Sequence, residues 1–151
     1  ARDTTERKLS QEQILRLSYH DLLTGLYNRR FYEEELKRLD VERNLPITLI
    51  MADVNGLKIT NDAFGHQEGD KLLRLIAKIL NTKCRSDEIV SRIGGDEFVI
   101  LLPKTDANSA CKLIDRIMAA VTQEAEKHST LSMSIGYAVK THSEESMGDI
   151  F

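Results

Sequence analysis

The chain has 151 residues, of which 41% are hydrophobic and 30% charged, and its formal net charge is −3. That length suits one domain around a single core, and the apolar content excludes a disordered chain. The acidic balance excludes a surface built to grip nucleic acid through its phosphates, which needs a basic face. An acidic protein that handles a polyphosphate must draw its cations from elsewhere, and metal ions are the usual source.

Cys84 and Cys111 stand among helix-compatible residues with neither CxxC spacing nor a nearby His. They read as reduced thiols in a cytosolic protein. No apolar run approaches the ~20 residues of a membrane span, and no signal peptide is visible. The chain opens on Ala1 rather than Met, so it is expected to derive from something longer, whose membrane anchor, if it has one, lies elsewhere.

In chain order, Arg2 to Tyr19 is charged and helix-compatible, which suits a linker helix over 1–19 ahead of a domain over 20–151. A turn region follows from Asp21 to Arg30, with Asn28 as a plausible N-cap for a helix to about Arg43. Ile47 to Val54 is almost wholly apolar and predicts a strand buried on both faces, with Asp53 near its C-terminal end. A polar loop is expected from Asn55 to Glu68. Gly69 to Cys84 then carries a broad helical stripe of Leu72, Leu73, Leu75, Ile76, Ile79 and Leu80. Ile89–Ile93 and Phe98–Leu102 predict short strands around Gly94-Gly95, a hairpin signal. Asp106 to about Lys127 predicts a helix, and Leu131 to Val139 the last strand.

From Ile47 onward the order is β-α-β-β-α-β, the ferredoxin-like or palm-like pattern of an α+β domain, with an antiparallel central sheet and flanking helices. In that topology the first strand runs antiparallel to the third. The turn between strands two and three then falls beside the C-terminal end of strand one. Asp53 should therefore meet Asp96 and Glu97. Gathered carboxylates repel unless a cation intervenes, and hard oxygen ligands suit magnesium. Two such ions could clamp a phosphoryl centre, and the Val54 carbonyl could add a ligand.

Other residues admit two readings each. Gly94-Gly95 fits a tight turn at positive φ and also close approach of a phosphate to backbone N–H groups. Asn61 and Asp70 could read a purine edge, since an Asp accepts from the N1–H and N2 amine of guanine. Asp70 also fits a first-turn helix acid. Lys58 faces phosphate or solvent. His66 by itself reads as a structural hydrogen-bonding side chain. Gly65 to Lys71 is one residue short of a P-loop, with Leu72 in the hydroxyl position. Asp53-Val54-Asn55 departs from an EF-hand at Leu57 and Lys58.

Gly94-Gly95-Asp96-Glu97-Phe98 is the GGDEF signature, and with its context the chain resembles the diguanylate cyclase family. Asp21-Leu22-Leu23-Thr24-Gly25-Leu26-Tyr27-Asn28-Arg29-Arg30 resembles the family's leading motif. Asn61-Asp62, Gly65-His66 and Gly69-Asp70 resemble its central loop, and Ser134-Ile135-Gly136 its late strand. The match runs from about Asp21 to Val139, and the expected core resembles that of nucleotide cyclases.

The resemblance implies a homodimer in which each protomer holds one GTP and each 3′-hydroxyl attacks the opposite α-phosphate. Cyclic di-GMP and pyrophosphate would result. It implies Mg2+ (or Mn2+) held by Asp53, Asp96 and Glu97, with Asp96 helping to deprotonate the hydroxyl. Asn61 and Asp70 would contact guanine and Lys58 would lie near the triphosphate. The helix over 1–19 would couple an upstream sensor to dimer geometry. The alternative from another class is an inactive module that binds GTP or cyclic di-GMP and relays a signal.

The chain departs from the family's pattern in three places. Asn55 and Leu57 stand where the family often has Asp and Phe. Its inhibitory product motif RxxD reads Arg85-Ser86-Asp87-Glu88, placing a possible product site at Arg85 and Glu88. Ser146 to Phe151 resembles only the approach to the last helix, which supplies phosphate-binding Lys and Arg residues. The expectation is a C-terminally truncated, weakly active or inactive fragment.

Overall fold

The computed structural model describes residues 10–11, 18–127 and 131–142. Ser10, Gln11, Ser18 and Tyr19 are helical. The remainder of the expected leading helix, and the Ser146 to Phe151 stretch, lie outside the described residues.

Helix α1 spans Arg29–Leu39. Asn28 caps it as expected: its Oδ1 accepts from Phe31 N at 3.0 Å. The same side chain ties back to the preceding segment, its Nδ2 donating to Ser18 O at 2.8 Å. Asn28→Ala is expected to cost ~1 kcal/mol, a fall in Tm of about 2–4 °C at this chain length, readable by thermal unfolding. The helix stops at Leu39 rather than near Arg43, because Asn44 folds back and donates from Nδ2 to the Leu39 carbonyl at 2.9 Å. Glu42–Asn44 forms a single 3-10 turn.

Strand β1 (Ile47–Val54) follows, then α2 (Leu57–Phe64), α3 (His66–Lys83), β2 (Ile89–Arg92), β3 (Glu97–Leu102), α4 (Ala107–Ala125) and β4 (Met133–Lys140). Two of these correct the sequence reading. The expected loop from Asn55 to Glu68 is mostly helical, and α3 begins before Gly69. Gly56 (φ 69°) and Gly65 (φ 91°) bracket α2 in conformations that disfavour residues with a Cβ. Between them Leu57 packs on the core and Thr60 is buried, an apolar face too short to announce itself.

The four strands order as β2-β3-β1-β4. All pairings are antiparallel, with β1 between β3 and β4. Period-two alternation sends residues to two separate cores. Ile50, Ala52, Val54, Phe98, Ile100 and Leu102 face α3 and α4. Ile47, Leu49, Val99 and Leu101 face α1 through Phe31, Tyr32, Leu36 and Leu39. The sheet is thus covered on both sides, which explains why β1 reads as a continuous apolar run. Asp40, just past α1, accepts from Lys140 Nζ at 2.5 Å and fastens the end of β4 to that layer.

Both cysteines are free. Burial, with the Glu88 carboxylate adding to it, pushes the Cys84 thiol up to about 12, so it is inert as a nucleophile at neutral pH. Among the described residues, no helix is long and apolar enough to cross a membrane.

Candidate active site

The register of β1 against β3 sets Asp53 directly opposite Glu97. Both occupy odd positions, so their side chains leave the sheet on the α1 face, beyond the apolar residues that α1 covers. Directly opposed residues on one face are within contact range, and like charges there are destabilising. Asp96 joins them through the backbone, its carbonyl accepting from Val54 N at 2.9 Å. One carboxylate oxygen from each of Asp53, Asp96 and Glu97 lies within 4.8 Å of the others. All three side chains are exposed, as a site open to an incoming ligand requires. Three hard anionic oxygens so arranged fit a divalent cation that keeps coordination positions for water and phosphate.

The connection between β2 and β3 closes through Ile93 N, which donates to Glu97 O at 3.0 Å. Neither Gly94 nor Gly95 lies at positive φ, contrary to the tight-turn expectation. A Cβ on Gly94 would come within 3.3 Å of Glu97 Oε2, so this glycine makes room for the carboxylate. A Cβ on Gly95 would meet nothing within 4 Å, leaving one side of that backbone open.

Two residues build this rim in ways the sequence reading did not anticipate: it passed over Arg92 and noted Asn55 only as a departure from the family's pattern. Arg92, at the end of β2, donates from Nη1 to both carboxylate oxygens of Asp21, at 3.1 and 3.2 Å. Its Nη2 donates to Gly95 O at 2.8 Å. One guanidinium therefore joins the N-terminal turn to the glycine turn. The same Asp21 carboxylate accepts from Thr24 N and Oγ1 at 2.9 and 2.7 Å. Tyr27 extends the join by pairing with the edge of β2, its carbonyl accepting from Arg92 N at 2.9 Å. A lone charge in an otherwise uncharged strand was the available signal for Arg92. Asn55 is the second residue. Its amide bonds to Ser132 Oγ at 3.1 Å and Ser134 Oγ at 3.0 Å, stitching the end of β1 to β4.

Immediately after β1, α2 carries Lys58, exposed, and Asn61, half-buried. Asp70 is half-buried in the first part of α3. Asn61 lies against the backbone of Gly69, the residue before Asp70, which brings the two candidate base-reading positions together. His66 is exposed at the start of α3.

Arg85 and Glu88 are not part of this group. They occupy the turn before β2, whereas the acidic rim follows its other end. Glu88 Oε1 accepts from Arg85 N at 2.6 Å. Both line a cavity of about 210 Å3 with Lys104, Lys112 and Arg116.

An α+β sheet of this order, with an acidic trio on the rim where β1 and the β2–β3 turn meet, defines a palm-like domain suited to divalent cations and phosphates. Comparison narrows that class. The family model for "Diguanylate cyclase, GGDEF domain" matches residues 18–151, and the chain belongs to that family. The chain is 36% identical over 126 residues to diguanylate cyclase DgcM of Escherichia coli, covering 80% of this chain and 30% of that one. It is 35% identical to the signaling protein YkoW of Bacillus subtilis, covering 91% of this chain and 18% of that one. Among solved structures, the coiled coil and GGDEF domain of DgcB from Caulobacter crescentus, in complex with c-di-GMP, superposes with a TM-score of 0.86 at 25% identity. That match covers 98% of this chain and 82% of the other. The chain thus spans from under a fifth to under a third of the length of these curated relatives.

Proposed function

We propose that this chain is the catalytic core of a diguanylate cyclase that condenses two GTP molecules into cyclic di-GMP as a magnesium-dependent homodimer. The observation that carries the reading is the exposed convergence of Asp53, Asp96 and Glu97. Family membership and the likeness to DgcM and DgcB support it.

In each half-reaction a 3′-oxygen forms a bond to the α-phosphorus of the facing GTP, the bond from that phosphorus to the α–β bridging oxygen breaks, and pyrophosphate departs. Asp53, Asp96 and Glu97, with the Val54 carbonyl, would hold Mg2+ or Mn2+. When bound, such ions supply charge neutralisation at the phosphates and acidify the attacking hydroxyl. Asp96 is placed in the role of accepting that hydroxyl's proton, with Glu97 beside it. The open backbone of Gly94 and Gly95 admits a phosphate closely, and Lys58 faces the triphosphate. Asp70 and Asn61 read guanine. Residues 1–19 link the domain to an upstream sensor, and the catalytic portion works in the cytoplasm. Arg85 and Glu88 form a product site weakened by Glu88, whose carboxylate is already engaged by its own turn.

The test is incubation of the parent protein with GTP and magnesium. Pyrophosphate and cyclic di-GMP should appear together, and Asp70→Ala should lower the preference for GTP over ATP by about tenfold or more. Saturable nucleotide binding without product would instead assign a receptor.

A further inference from the structure

The packing of Asn61 on Gly69 extends this reading. A Cβ built on Gly69 would lie 1.8 Å from Asn61 Oδ1 and 2.8 Å from its Cγ. Gly69 is buried within α3, a position where alanine is ordinarily the better helix former by ~1 kcal/mol. Its φ is not positive, so backbone conformation gives no reason for glycine here. What the missing methyl provides is the space filled by the Asn61 amide. Asn61 Oδ1 is buried in that space without a hydrogen-bond partner. A buried, unpaired acceptor is costly, and a side chain free to rotate would carry it to water. The Gly69 surface thus defines where this amide sits, on the helix that follows Asp53.

We infer that Gly69 is a positioning residue for guanine recognition: by lacking a Cβ it seats the Asn61 amide against α3, beside Asp70. The inference rests on the cyclase reading above. It separates two quantities that a structural role would move together. The obstructing atoms belong to the end of a side chain, so Gly69→Ala displaces Asn61 with little effect on the fold. Helix propensity offsets even that. Base recognition, by contrast, loses the amide from its place.

The experiment compares the parent protein with Gly69→Ala, Asn61→Ala and the double variant. KM for GTP in Gly69→Ala should rise about tenfold, the loss of one hydrogen bond, with kcat within about twofold and Tm unchanged or higher. In an Asn61→Ala background the same substitution should leave KM unchanged, since the obstructed group is gone. In nucleotide-free protein, the Asn61 side-chain NH2 resonances should shift in Gly69→Ala. Unshifted resonances, an unchanged KM, or losses that add in the double variant would each overturn the assignment. Shifted resonances in a protein that binds no GTP would sink the cyclase reading, and base recognition with it, a failure distinct from an amide that never moved.

Discussion

Asp96→Ala is expected to abolish magnesium-dependent pyrophosphate release, by ~100- to 1,000-fold or more, while the domain stays folded. The two halves of that expectation have one cause. Asp96 is exposed, and its carboxylate lies within 4.8 Å of oxygens on Asp53 and Glu97. Without a cation, removing it relieves repulsion, so stability should hold within about 0.5 kcal/mol or increase. With a cation, the same removal takes away a ligand. Magnesium should therefore raise the melting temperature of the unmodified protein by mass action and do so less for the variant. An active Asp96→Ala, or one equally stabilised by magnesium, would contradict the assignment. An inactive variant that had also lost several kcal/mol would leave Asp96 a structural residue.

Arg92→Ala should show the opposite balance, with stability falling first. Arg92 and Asp21 are half-buried, their side chains 16% and 21% exposed. Removing one member leaves the other without its partner at a half-buried position, at a cost of roughly 1–2 kcal/mol, or about 2–8 °C in Tm for a chain of this size. Activity should fall as well, because the Gly95 carbonyl loses the donor that fixes the turn carrying Asp96. Arg92→Lys should recover little, since a single ammonium cannot span both Asp21 and Gly95 as the guanidinium fork does.

The ion pair also has a pH signature. Burial pushes the Asp21 carboxyl up, but hydrogen bonds from Thr24 and the Arg92 guanidinium outweigh it and hold it below 3.8. A carboxyl depressed in the folded state contributes stability that is complete above its unfolded value. That stability is lost as pH falls through the folded value. The gap between the unmodified protein and Arg92→Ala, read from urea midpoints, should narrow in acid below 3.8. A gap that stays constant from neutral pH to about pH 3 would contradict this account.

The sheet and its acidic rim were legible in the amino-acid order because both follow from topology. An apolar run at Ile47–Val54 with both faces covered, and a hairpin signal at Gly94-Gly95, are enough to bring Asp53 to Glu97. Helix α2 was hidden because glycines punctuate it at both ends, and β-branched Ile59 and Thr60 weaken its local preference. Those same glycines look like loop residues when only composition is read. Arg92 and Asn55 were illegible for another reason. Their partners Asp21, Ser132 and Ser134 lie far off in sequence, and periodicity carries no information about which distant polar groups will pair. Gly69 belongs with them, since a glycine in a helix shows only that something prefers the absence of a methyl. The neighbour that requires it appears only once α2 is folded against α3.

The place of β1 in the middle of the sheet has a consequence for how the protein comes into being. Thr48 pairs with Leu102 and Val54 with Met133, so both neighbours of the central strand arrive from distant parts of the chain. Closing such long loops costs entropy before any contact repays it. A newly made polypeptide holding only its helices and the β2–β3 hairpin would have Asp96 and Glu97 in hand but no Asp53 beside them. The grouping of Asp53 with Asp96 and Glu97 is therefore complete only once β1 has paired with β3, and a partly folded chain lacks it.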